Sequence, residues 1–164
     1  YLAGGCFWGL QKYLANIPGV TETEVGYANG KTDNPSYEEV CKNNTGHAET
    51  VRLCYDSNIL QLQILLRRFF SAIDPTAVNR QGGDIGTQYR TGIYYTDESD
   101  RKIIQEELEA LQARTEGTVA IETRPLFQYA TAEEYHQDYL DKNPGGYCHI
   151  SPQKIAEAAK PLSS

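Results

Sequence analysis

Gly4-Gly5-Cys6-Phe7-Trp8-Gly9 is the run of this sequence with the clearest chemical potential. The apolar stretch Tyr1-Leu2-Ala3 precedes it, and Leu10, Tyr13, Leu14 and Ile17 follow at helical spacing. The layout predicts strand, tight turn, then helix, with Cys6 at or near the helix N-terminus. Unpaired backbone N–H groups and the macrodipole favour an anion there, and the thiolate is the reactive form of cysteine. Phe7 and Trp8 add a water-poor, π-rich wall. Together they suggest nucleophilic chemistry on a small, partly apolar group. A plain core cysteine is the competing reading, since free Cys packs as a small hydrophobe. The three glycines tip the balance, because they cost entropy and let backbone approach a ligand.

Further reactive groups lie elsewhere in the chain. His47 to Tyr55 alternates, which puts Glu49 in phase with Val51, Leu53 and Tyr55 on one strand face. Burial on that face would raise the carboxyl pKa and keep it protonated at neutral pH. A solvated strand mouth is an equal alternative. Tyr37 and Tyr89 carry phenol donors in stretches read as loops. Asn143-Pro144-Gly145-Gly146-Tyr147-Cys148 reads as a mobile, extended arm. Its thiol could swing to Cys6 and allow turnover through a disulfide; an inert tail cysteine is the plainer reading.

The elements that must position these groups are legible in outline. Strands are predicted over Val20–Tyr27, around Glu49, over Gly92–Thr96 and over Val119–Thr123. Helices are predicted for the stripe Ile59, Leu62, Leu66, Phe69, Phe70 and Ile73, and for Asp97–Arg114 with a buried stripe of Ile104, Leu108 and Leu111. A short helix is expected through Val40. Thr131-Ala132-Glu133-Glu134 matches a capping box and predicts a helix through Tyr135, Tyr139 and Leu140. Thr76 to Arg90 is long, polar and Gly-rich, and holds Asp84 among Gln, Tyr and Arg, which favours a binding loop over a floppy connector. The irregular alternation of strands and helices predicts an α+β two-layer sandwich, one sheet with helices mainly on one face. A catalytic domain is expected over residues 1–150, with 151–164 as a tail or linker.

With 164 residues the chain can bury a real core as one domain. Fifteen basic against 22 acidic residues give a net charge of −7, which excludes a general nucleic-acid binder. No apolar run is long enough for a membrane span, and no signal-peptide pattern is present. The chain opens without Met, so an excised or processed piece is expected, and its compartment is not legible; cytoplasmic is the default. The four cysteines, Cys6, Cys41, Cys54 and Cys148, match neither a Cys-x-x-Cys motif nor a zinc-finger spacing.

Gly5-Cys6-Phe7-Trp8-Gly9 resembles the signature of the A-type peptide methionine sulfoxide reductases. The resemblance runs from Tyr1 to about Ile150. It takes in Gly26-Tyr27, Asn34-Pro35-Ser36-Tyr37, Gly46-His47-Ala48-Glu49, Arg80 through Asp84, Gly86 through Arg90, Tyr135-His136-Gln137 and Lys142 through Cys148. It implies roles residue by residue. Cys6 is the expected nucleophile on the sulfoxide sulfur, and Phe7 and Trp8 the rings holding the substrate methyl. Glu49 is the expected acid, Tyr37 and Tyr89 the phenols on the sulfoxide oxygen. Asp84 orders the loop and a water. Cys148 is the recycling thiol. The resemblance further implies a ferredoxin-like mixed sheet with long coil segments and an extended C-terminal arm, selectivity for the S epimer, free or in peptides and proteins, recycling by thioredoxin or a related dithiol, and no metal or organic cofactor.

Only one cysteine lies in the tail, so a relay through a second tail thiol has no support. Cys54 falls on the strand face opposite Glu49 and reads as structural. The tail also resembles linkers that join such domains to a B-type reductase. A cysteine hydrolase drawing on His47, His136 or His149 is a rival without a supporting motif. A redox-sensing or peptide-binding module without turnover is another.

Overall fold

The computed structural model describes residues 1–42 and 45–162. In chain order the elements are β1 (Leu2–Ala3), α1 (Phe7–Ala15), β2 (Val20–Ala28), α2 (Tyr37–Lys42), β3 (Ala48–Tyr55), α3 (Leu62–Ala72), β4 (Arg80–Gln81), β5 (Asp84–Ile85), β6 (Gly92–Tyr95), α4 (Glu98–Ala113), β7 (Glu122–Pro125), β8 (Tyr129–Thr131), α5 (Tyr139–Lys142) and α6 (Pro152–Ala158). Six strands form one mixed sheet in the order β7-β6-β1-β3-β2-β8. Only β6 and β7 pair in parallel, across the α4 connection; the other neighbours are antiparallel. The architecture is the expected α+β one.

Short as it is, β1 sits centrally, with Leu2 opposite Val51 on one side and Ile93 on the other. Its two side chains point to opposite faces. Leu2 joins the main core with Phe7, Leu10, Leu14, Val51, Leu66, Phe69 and Ile104. Ala3 joins a smaller cluster with Ala28, Ala48 and Tyr94. Each fully buried Leu or Phe in the main core stabilises the fold by about 1.5–3 kcal/mol. That core fixes α1, and therefore the turn before it, against β2 and β3.

Local capping agrees with the sequence at α4. The Asp97 carboxylate accepts the Ser99 amide at 2.9 Å, and Glu98 and Asp100 occupy the first turn. Its buried stripe includes Glu107, which pairs with Arg67 at 2.8 Å and so tolerates burial. At α3 the helix starts at Leu62, and Ile59 is exposed rather than part of the stripe.

Several expectations need correction. The helix predicted from Thr131 does not form as one piece. Tyr129–Thr131 is edge strand, Glu134–His136 is a 3-10 turn, and α5 begins only after Asp138, whose φ of 52° breaks any helix. The Glu133 carboxylate is drawn elsewhere, accepting the Tyr37 amide at 3.0 Å and the Tyr27 hydroxyl at 2.9 Å. The strand expected over Val119–Thr123 lies at Glu122–Pro125, where it finds β6. Tyr37 opens α2 and Tyr89 closes a 3-10 turn, so neither sits on plain loop. The Thr76–Arg90 stretch contains the small β4–β5 hairpin.

The C-terminal segment is docked on the domain. Ser151 caps α6 through the Lys154 amide, with Pro152 at its start. The Arg68 guanidinium donates to the carbonyls of Glu157, Ala158, Lys160 and Pro161 at 3.0–3.2 Å. A cation there satisfies the orphan carbonyls of the helix end. The last two residues of the expected 151–164 tail lie outside the described residues.

Candidate active site

The turn between β1 and α1 brings Cys6 to the N-cap of α1. Gly5 makes this turn with φ of +78°, a conformation that side chains rarely adopt, and a Cβ there would also strike Gln81 at 2.7 Å. Cys6 is only 7% exposed. Burial pushes its thiol well above the usual cysteine range, and Glu49 pushes it further; the Trp8 amide pulls the other way. The thiolate expected from the helix terminus is therefore corrected. Desolvation outweighs the terminus, and the sulfur rests as a thiol.

Glu49 lies on the Val51 face of β3, opposite Tyr27 of β2, and is 1% exposed. Burial raises its pKa to about 8 from an ordinary 4.5. The Phe7 amide, which donates to its Oε1 at 3.2 Å, opposes that shift, and the Asp84 charge adds to it. Its Oε2 is buried and has no partner among the described residues. A carboxyl in this state holds its proton at neutral pH and has one oxygen free to give it. Of the two readings left open by spacing, burial is the one realised.

The two phenols border the same pocket of charge. Burial, then the Glu49 charge, pushes the Tyr37 and Tyr89 hydroxyls up, so both are donors. The turn carrying Tyr89 packs against β3. Asp84, at the start of β5, accepts the Tyr147 hydroxyl at 2.9 Å, and its charge is felt at Glu49, Cys6 and Tyr89. Cys6, Glu49, Tyr37, Tyr89 and Asp84 are thus brought together.

The two rings after Cys6 differ. Phe7 is fully buried, tilted against Tyr27 and His136 at centroid distances of 5.7 and 5.2 Å. Trp8 is half-buried. Its indole N–H donates to His136 Nδ1 at 2.9 Å, and its face stacks on Tyr139 at 3.7 Å. His136 is itself buried among Phe7, Trp8, Tyr37 and Tyr135. Desolvation lowers its pKa, which keeps the ring neutral and Nδ1 open as acceptor.

Cys148 reaches the site by the arm, which lies packed across α1. A Cβ on Gly9 would meet Cys148 Sγ at 2.8 Å. The thiol donates to the Ile150 carbonyl at 3.1 Å, and burial raises its pKa. It also borders a cleft of about 580 Å³ lined by Leu140, Pro144, Ile150 and Ile155. All four cysteines are free thiols. Cys41 stands one helical turn after Tyr37 on α2, close enough for each group to shift the other's titration. Among the described residues, no cluster of three His, Cys, Asp or Glu could hold a metal ion.

Local spacing offers Tyr139 and Tyr147 no site role, and His136 and His149 only one beside the thiol in a hydrolase. Their contacts join segments more than 60 residues apart, which periodicity does not register. Only the block Tyr135-His136-Gln137 hinted at His136.

The comparisons with known proteins point the same way. A sequence model described as peptide methionine sulfoxide reductase matches residues 1–162. The peptide methionine sulfoxide reductase MsrA of Lachnoclostridium phytofermentans is 61% identical over 92% of this chain and 90% of its own length. That of Clostridium perfringens is 55% identical over 91% and 95%. The reduced form of Saccharomyces cerevisiae Mxr1 superposes with a TM-score of 0.86 at 38% identity, covering 92% of this chain and 88% of Mxr1. Methionine sulfoxide reductase A of Corynebacterium diphtheriae gives 0.80 at 39% identity, over 90% and 75%. Mxr1 has also been solved in complex with Trx2. Since both the family match and the identity extend over nearly its whole length, this chain belongs to the peptide methionine sulfoxide reductases.

Proposed function

We propose that Cys6 attacks the sulfur of a methionine sulfoxide while Glu49 protonates the oxygen. The observation that carries this reading is Glu49 itself: an acid 1% exposed, protonated up to about pH 8, tied to the amide of the residue after the thiol. A sulfoxide oxygen becomes more basic as its sulfur is attacked, and a neutral carboxyl can hand it a proton at that moment. Tyr37 and Tyr89 donate to the same oxygen and stabilise its developing charge. The oxygen passes to Cys6 with the proton that Glu49 gave it, methionine leaves, and a sulfenic acid, Cys–S–OH, remains. The proton released by the thiol returns Glu49 to its acid form.

Trp8, braced by His136 and Tyr139, is the exposed wall for the substrate methyl, and buried Phe7 is the floor beneath it. Asp84 holds the arm through Tyr147. Cys148 then condenses with the sulfenic acid to a disulfide. The open cleft beside Cys148 gives a dithiol protein access to that bond, and Trx2 bound to Mxr1 supports thioredoxin as the reductant. These groups all fall within residues 1–150, and the following segment contributes packing. A B-type reductase domain would join through that segment; a native product of single-domain mass would count against it.

The test is a coupled assay with the two epimers of methionine sulfoxide and thioredoxin. Turnover of the S epimer alone is expected. Equal turnover of both epimers rejects the selectivity, and turnover by Cys6→Ser rejects the nucleophile.

A further inference from the structure

His149 has no place in the steps above, yet its ring packs against the segment that carries Cys6, on the side where Cys148 rests. Its ring lies against both glycines that flank the Cys6 turn. A Cβ on Gly5 would meet Nε2 at 2.9 Å, and one on Gly9 would meet Nδ1 at 3.3 Å, beside Cys148 Sγ at 2.8 Å. The Nε2 edge thus faces the residue before Cys6, and the Nδ1 edge faces the side on which Cys148 rests. Both nitrogens are shut off from solvent and, among the described residues, have no hydrogen-bond partner. The Gly4 backbone lies near enough to favour the charged ring slightly, without completing a bond to either nitrogen. Leaving buried polar atoms unpaired carries a desolvation penalty, so a native protein keeps such a group for a reason beyond packing.

The geometry points to His149 as the acid–base residue of disulfide formation between Cys148 and Cys6. This rests on the reading that Cys148 resolves the Cys6 sulfenic acid. Desolvation lowers the pKa of His149, so the free ring is the neutral form that can take a proton. Burial raises the Cys148 thiol, so this sulfur needs a base before it attacks. In the step, the Cys148 S–H bond breaks and its proton passes to Nδ1. The freed electron pair forms the S–S bond to Cys6. The S–O bond of the sulfenic acid breaks, and the departing oxygen takes the Nε2 proton and leaves as water. Cys148 is oxidised, the Cys6 sulfur is reduced from sulfenic acid to disulfide, and the imidazole ends as its other neutral tautomer.

The test separates the two half-reactions in a single turnover without external reductant. Methionine release reports the first, and loss of free thiols reports the second. In His149→Gln and His149→Ala, methionine release is expected within about twofold of wild type, while disulfide formation slows on the order of a hundredfold. Added imidazole should restore part of the loss in His149→Ala, where it fills the vacated ring site. Wild-type disulfide formation in His149→Gln would overturn the assignment. So would an equal fall in both half-reactions, which marks a structural role; the methionine burst itself reports folding. Cys148→Ser is the control: thiol loss that persists there removes the resolving reading underneath, independently of His149.

Discussion

The Phe7 amide donates to Glu49 Oε1 at 3.2 Å, which ties the first residue of α1 to a buried acid on β3, 42 positions further along the chain. The bond aligns the N-terminus of the helix that follows Cys6 with a carboxyl that keeps its proton at neutral pH. It also leaves Oε2 without a partner among the described residues. Replacing Glu49 therefore acts on proton supply with little change to the thiol's position.

Glu49→Gln keeps a carbonyl for the Phe7 amide and removes the proton. Single-turnover methionine formation is expected to fall by about 10²–10⁴-fold. The wild-type rate should decline as pH rises through about 8, where the acid is lost, and the variant should lack that limb. Rapid-quench measurement across pH checks both; an unchanged rate in Glu49→Gln rules out the acid role.

The same group shapes stability. Its pKa is raised from 4.5 to about 8 on folding, so the native state keeps a proton that the unfolded chain releases. This stabilisation is full below pH 4.5 and is lost as pH rises to about 8. Urea titrations should show wild type losing stability relative to Glu49→Gln across that window. Parallel curves would show that the carboxyl ionises alike in both states.

Gly9→Ala tests the close approach of the arm. Alanine gains about 0.5–1 kcal/mol of helix propensity over glycine, but its Cβ would stand 2.8 Å from Cys148 Sγ. Thermal stability is expected to change by about 1 kcal/mol or less, since the thiol can rotate away. Disulfide formation should slow while the first methionine burst survives. Thiol titration after one turnover distinguishes the two steps.

His136→Leu deprives the Trp8 indole of its acceptor. An unpaired buried N–H costs about 1–3 kcal/mol, and the indole should tilt off Tyr139. Trp8 is the chain's one tryptophan, so its emission reports the site without interference. A shifted emission maximum with raised KM is expected; identical spectra and kinetics would show that stacking alone holds the ring.

Arg68→Ala removes four carbonyl contacts at the end of α6. Amide exchange in Pro152–Ala158 should accelerate, with a global loss of about 1–2 kcal/mol. Unchanged exchange would assign the docking of α6 to Ala158 and Ile155 alone.

The parts of this molecule governed by neighbours in sequence were legible before the structure. The helix around Asp97–Arg114 and the stripe of α3 follow from local spacing, as does Cys6 at the start of α1. So does the in-phase position of Glu49, though alternation alone does not tell a buried strand start from a wet one. The rest depends on distant partners. Thr131-Ala132-Glu133-Glu134 has the spacing of a capping box, yet Thr131 ends an edge strand and Tyr27 and Tyr37 claim the Glu133 carboxylate. Asp138 turns left-handed because its amide bonds Gln11 across the fold at 2.9 Å, and no periodicity announces that. The protonated state of Cys6 was misjudged for the same reason: a helix terminus is visible in a sequence, and the depth of the sulfur is not.

The arm is pinned on both sides of Cys148, by Leu140 before it and by Ile150 after it, each buried. A thiol on so short a leash searches a volume of a few side chains. Its effective concentration near Cys6 is then roughly millimolar or above, which small soluble thiols must match to compete for the same sulfur. Capture from within also shortens the lifetime of the sulfenic acid, the one form of Cys6 that a second oxidant molecule would convert into a dead end. In the proposed cycle, the tether thus doubles as a safeguard for the sulfur that it recycles.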